Sequence, residues 1–140
     1  MSELPRGEFG FPGPLRDALV SAILSEVKTA TSSLLVEYPS GYDLQDEVGA
    51  LEAVVDSYDN VVCVIRTTEI RVCRLADVDD AHATAEGEGY TDASAWRVEH
   101  ERFWNSPQYV DSVGALDIGD DTQVVCQRFI VDSRYPTLTS

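Results

Sequence analysis

The stretch from Val61 to Leu75 constrains the fold more than any other part of the chain. It is rich in β-branched residues and contains neither glycine nor proline, so it reads as one long strand. Its apolar alternation slips around Arg66-Thr67-Thr68, and a bulge or bend there suits a strand that curls around a barrel. Three other segments share this vocabulary: the Thr-Ser-Leu-Val text after Lys28, Leu51–Asp56, and Thr122–Val131. Tyr58-Asp59-Asn60 is a turn and Pro39-Ser40-Gly41-Tyr42-Asp43 is a loop. Helices are predicted between the strands. Pro14 suits the first turn of one over roughly 14–26, with Leu15, Ala18, Leu19, Ala22 and Ile23 on its apolar stripe. An acidic helix over Ala76–Glu86 closes at Gly87. Thr91 is the expected N-cap of another helix over roughly 92–105, with Trp96, His100 and Phe103 on one face. Residues 107–119 are irregular or briefly helical. Strands of unequal length with inserted helices predict an α+β fold, a small mixed β-barrel with helices packed around it. The expected organisation is an irregular N-terminal arm (1–13), one domain (14–132) and a short C-terminal tail (133–140).

Charge narrows the functional classes. Twenty-five acidic residues against ten basic ones give a formal charge of -15 in 140 residues. An acidic surface is ordinary solvation, but it opposes tracking of a polyanion, which a small pocket for a base or nucleoside does not need. Nothing in the text resembles a transmembrane span or a signal peptide, so no membrane partner and a cytoplasmic location are expected. Cys63, Cys73 and Cys126 are odd in number and lie in strand-like text, which reads as buried thiols of a reducing compartment.

Lys28 is the only lysine, against nine arginines. A lysine can lose its proton in a suitable environment, whereas a guanidinium stays charged. Thr31, three positions on, offers a hydroxyl that such an amine could activate. Within an uninterrupted strand the two would face opposite ways, so they converge only if Lys28 belongs to the helix end or turn and Thr31 opens the strand. The plainer role for Lys28 is to cap the helix carbonyls. Other motifs are absent or weak. There is no GxGxxG or GxxxxGK[ST] phosphate loop, and Gly87-Glu88-Gly89 reads as a C-cap and turn. His82 and His100 sit in different elements without metal-ligand spacing, and Asp77, Asp79 and Asp80 read as a solvated helix face.

Several separated segments together resemble the ASCH domain family, a branch of the PUA-like barrels tied to RNA. They are Lys28-Thr29-Ala30-Thr31-Ser32-Ser33-Leu34-Leu35-Val36-Glu37-Tyr38 after a helix, Val64–Ile70, Val78–Ala83, Glu86–Tyr90, Trp96–Trp104 and Val124–Phe129. The resemblance spans roughly residues 11–131 and implies a PUA-like barrel. Some ASCH proteins remove the acetyl group from N4-acetylcytidine with a lysine, a threonine three residues later and a distant glutamate. The resemblance places those catalytic roles on Lys28, Thr31 and Glu86. Members similar in the Trp-Arg-x-x-His segment look like nucleases for single-stranded RNA. Two positions differ from the motif: Glu26 stands where glycine is usual, and Ser33 where a basic residue is often found.

The resulting expectation is an RNA-related hydrolase that holds a base or modified pyrimidine nucleoside in a cleft at Lys28. The alternatives are a ribonuclease and a non-catalytic RNA or modified-base module. Ser32, Ser33, Tyr38, Trp96 and Trp104 are the expected substrate-binding residues. No cofactor is expected, and a divalent metal only for the ribonuclease. Proton transfer by Lys28 requires apolar walls, for which Val27, Leu34 and an aromatic of the 96–104 helix are the candidates. A lysine that stays protonated would instead stabilise an oxyanion, with Glu86 as base.

Overall fold

The computed structural model describes residues 4–7, 9 and 12–135. The remainder of the predicted arm and the tail beyond Tyr135 lie outside the described residues. Five strands form one sheet in the order β1-β3-β4-β5-β2, built from β1 (Arg6–Gly7), β2 (Ala30–Leu34), β3 (Leu51–Val55), β4 (Val61–Arg74) and β5 (Gln123–Val131). Strands β3, β4, β5 and β2 are antiparallel neighbours and curl into a half-barrel, while β1 adds to the β3 edge in parallel. The arm therefore contributes a short strand, and Phe9 beyond it is buried in the core.

Strand β4 makes the curl. Val61–Arg66 pairs with β3 and Ile65–Arg74 with β5, so the strand changes partner along its length. The register with β5 shifts between Thr67 and Glu69, within the slip read from the sequence.

The two faces of the sheet differ. On one, Leu34, Val124 and Cys126 pack against Ala83, Trp96, Trp104 and Tyr109, carried by α2 (Asp80–Ala85), α3 (Ala93–Trp104) and α4 (Pro107–Val113). On the concave face, Val54, Cys63, Ile65 and Phe129 pack against Phe9 and against Val20 and Ile23 of α1 (Pro14–Leu24). Farther along that face Leu44, Ile70 and Val125 form a second apolar group. No helix among the described residues is long and apolar enough to cross a membrane.

Some predicted boundaries move for local reasons. Helix α1 stops at Leu24, because Glu26 takes φ 62 and the amides of Glu26 and Val27 bond back to the carbonyls of Ile23 and Ala22. This is the Schellman pattern that a glycine usually supports. The acidic helix begins late: Leu75–Asp77 is a 3-10 turn, and Asp79 caps α2 by accepting from the His82 amide. Asp92, not Thr91, caps α3, accepting from the Ala95 amide. Cys63 and Cys126 are buried and Cys73 is half-buried, all three as free thiols.

Candidate active site

Helix α1 delivers Lys28 into the protein. After the turn at Glu26, the Thr29 amide donates to the Ala85 carbonyl at 2.8 Å, which docks the chain onto the end of α2. The turn that follows α2 approaches from the other side. A Cβ added to Gly87 would lie 2.4 Å from the Val27 carbonyl oxygen and 2.7 Å from the Lys28 Cα, at φ 68. Only glycine permits this contact.

Lys28 is 2% exposed. Its ammonium donates to the Ala30 carbonyl at 2.8 Å, the Glu86 carbonyl at 3.2 Å and Glu88 Oε2 at 3.1 Å. Three acceptors match the three protons of an ammonium. The Phe9 ring centroid lies 5.9 Å away. The predicted apolar walls differ from those found. Val27 is 59% exposed, Leu34 belongs to the helix-side core, and the nearby aromatic comes from the arm and not from α3. Carbonyls and carboxylates surround the amine, because a buried cation must be paired to remain buried.

Glu86 caps the C-terminal end of α2 and is 1% exposed. Its Oε2 accepts from Trp96 Nε1 at 2.6 Å and Ser32 Oγ at 2.5 Å, with His82 Nε2 at 3.1 Å. Its Oε1 meets His100 Nε2 at 3.0 Å, while the Lys28 amine is 4.0 Å off. The other ring nitrogen of His100 faces the Trp96 carbonyl at 2.9 Å. Both His100 nitrogens thus face oxygen atoms, which fixes the ring between the α3 backbone and Glu86. Burial pushes the Glu86 carboxyl up, but the hydrogen bonds from His100 and His82 outweigh it. With the charges of His100 and Lys28, they hold Glu86 far below the usual carboxylate range. The two histidines converge on the carboxylate itself, and no group of three or more candidate ligands among the described residues is placed to hold a metal ion.

Lys28 opens onto a cleft of about 570 Å3, within the range of small-ligand sites. Thr31, Ser32, Ser33, Tyr38, Glu86 and Trp104 line it as well. Strand alternation separates the hydroxyls: Ser32 reaches Glu86, whereas Thr31 and Ser33 share the concave face with Gln127 and Val125 opposite them. Ser33 Oγ and the Tyr38 hydroxyl lie 3.1 Å apart. Trp96 does not line the cleft. It is fully buried, stacks on His100 at 4.2 Å and anchors Glu86 through its indole N–H, so its expected substrate-binding role gives way to a supporting one. Trp104 is 2% exposed and mostly core.

Glu88, which lies nearer the amine than the Glu86 carboxylate does, and the pair Glu52 and Gln127 do not stand out in the sequence. Five glutamates line the cleft, residues 37, 52, 86, 88 and 99, against Lys28 and Arg102, and Arg102 is bonded to Glu99.

A curled α+β half-barrel with helices packed against it is the fold of a PUA-like domain. The ASCH domain family model matches residues 7–132, and the chain belongs to that family. No curated protein matches it. Among solved structures, an ASCH domain from Lactobacillus crispatus JV V101 superposes with a TM-score of 0.78 at 24% identity, covering 91% of this chain and 79% of that one. Protein EF3133 from Enterococcus faecalis V583 gives a TM-score of 0.75 at 27% identity, covering 94% and 82%.

Proposed function

We propose that this ASCH protein is an amidohydrolase that acts on a modified pyrimidine nucleoside of the N4-acetylcytidine type. The observation that carries this reading is the ammonium of Lys28 beside Glu88 in a cleft whose charged lining is mostly carboxylate. Such a lining disfavours a phosphate backbone and tolerates an uncharged nucleoside. ASCH domains are associated with RNA, the source of such nucleosides.

In the proposed reaction, the Thr31 hydroxyl attacks the acetyl carbonyl and passes its proton to Glu88. Lys28 stabilises the resulting oxyanion and then protonates the leaving amine as the C–N bond breaks. Glu88, 3.1 Å away, returns the proton to Lys28, and water then releases acetate from the acyl-threonine by the same steps. Glu86 serves as the anchor of this arrangement: its proton affinity is lowered, and its carbonyl holds Lys28.

Incubation with N4-acetylcytidine, followed by mass spectrometry, should yield cytidine and acetate. Lys28→Met, Thr31→Val and Glu88→Gln should each abolish or strongly reduce turnover, with Glu88→Gln remaining folded. Cleavage of single-stranded RNA in a parallel gel, with or without divalent metal, would replace this reading with a ribonuclease. Binding without product in either assay would leave a recognition module.

A further inference from the structure

The concave face of the sheet is apolar at both ends. Val54, Cys63, Ile65 and Phe129 pack at one end, and Leu44, Ile70 and Val125 at the other. Between them the register places polar side chains. Gln127 lies opposite Thr31, Thr67 opposite Phe129, and Glu52 opposite Ile65, so four strands contribute to one polar row. Gln127 donates to Thr67 Oγ1 at 2.7 Å and is also hydrogen-bonded to Glu52. Its amide group is thereby fixed, with the N–H side committed to the protein and the carbonyl left as an acceptor. No cation among the described residues pairs with Glu52, although Glu52 is half-buried. Burial and the nearby Glu47 carboxylate push the Glu52 carboxyl up, opposed by Gln127. A carboxylate in that state gains from any donor a ligand brings. Both residues line the cleft.

We propose that Glu52 and Gln127 form a recognition pair that accepts hydrogen bonds from an N–H edge of the cleft's ligand, an exocyclic amine or amide. The pair therefore discriminates against a ligand with a carbonyl at that position. This assignment rests on the nucleoside reading of the cleft and adds what selects the base. A carbonyl facing two fixed acceptors finds no donor there, which is how a polar site rejects an analogue of the same shape.

Cytidine and uridine differ at this edge, one carrying an amine and the other a carbonyl. Titration calorimetry with the full chain should show cytidine binding about tenfold or more tightly than uridine. Glu52→Gln, which keeps the shape and can turn a donor to the ligand, should narrow the preference to about threefold or less, with an unchanged melting temperature. Glu52→Ala should remove the preference. Equal affinities in the wild type, no binding of either nucleoside, or a preference that survives both variants would overturn the proposal. Selective cytidine binding without hydrolysis of N4-acetylcytidine would sink only the amidohydrolase reading. Hydrolysis with a preference indifferent to Glu52 would sink only the recognition pair.

Discussion

Gly87 and Gly89 provide a matched pair for testing how the lysine is placed. Both have positive φ, 68 and 92, in the same turn, but a Cβ at Gly89 meets nothing within 4 Å, while one at Gly87 meets the Val27–Lys28 backbone. Alanine at either site carries the left-handed penalty of about 1–2 kcal/mol, partly offset by about 0.4–1 kcal/mol from the stiffer unfolded chain. Gly89→Ala should therefore cost about 1 kcal/mol. Gly87→Ala adds an overlap with backbone atoms at 2.4 to 2.7 Å, which no rotamer change can relieve. Overpacking of that kind costs a further 1–3 kcal/mol or so, giving a total of about 2–4. For a chain of this size, thermal unfolding should fall by about 3–5 °C for Gly89→Ala and about 6–20 °C for Gly87→Ala. The overlap also pushes Lys28 away from the Glu86 carbonyl, so turnover should fall in Gly87→Ala beyond what the loss of folded protein explains. Equal melting temperatures for the two variants would refute the close approach.

Glu26→Gly should stabilise the protein by about 0.5–1 kcal/mol, because glycine relieves the φ of 62 and removes an acid from a helix C-terminus. Differential scanning calorimetry reads this, with Glu26→Ala as the control that keeps the strain. Trp96→Phe should lose about 1.5–3 kcal/mol of stability, since it deletes a buried hydrogen bond to a carboxylate. A variant that keeps its stability but loses ligand affinity would return Trp96 to the binding surface. Glu86 titrates lower in the folded protein than in the unfolded chain, so its contribution is complete above the unfolded value of about 4.3 and fades as the pH falls from there. Chemical denaturation from pH 6 to about pH 3 should show this loss, and Glu86→Gln should flatten it. An unchanged slope in that variant would place the acid sensitivity elsewhere.

The β elements were legible because β-branched text and alternation report burial directly, and the Arg66–Thr68 slip marks a real change of register. Element ends were harder. Thr91 and Asp92 are both good caps, and only the geometry of the Ala95 amide chooses between them. The site was half legible. Lys28 stood out by composition, and its delivery from the turn onto β2 followed from strand parity. Glu88 did not stand out, because Gly-Glu-Gly reads as a turn whether or not a lysine lies behind it. Glu52 and Gln127 belong to different strands, and only the curl of β4 brings them to one floor. His82 and His100 lack metal spacing because their shared partner is a carboxylate.

The solitary lysine now has a reason that differs from the one its chemistry suggested. In the sequence alone, lysine is favoured because an amine can give up its proton. The contacts favour it because three acceptors, from two backbone carbonyls and Glu88, converge on one nitrogen. A tetrahedral ammonium fills that arrangement, whereas a planar guanidinium spreads its donors over three nitrogens and needs more room. Lys28→Arg should then fail as a matter of shape, losing stability along with activity. A variant defective only in proton transfer would lose activity alone. Melting temperature and turnover measured on the same preparation separate the two explanations. A stable, ligand-binding but inactive arginine variant would show that titration, and not fit, is why lysine occupies this position.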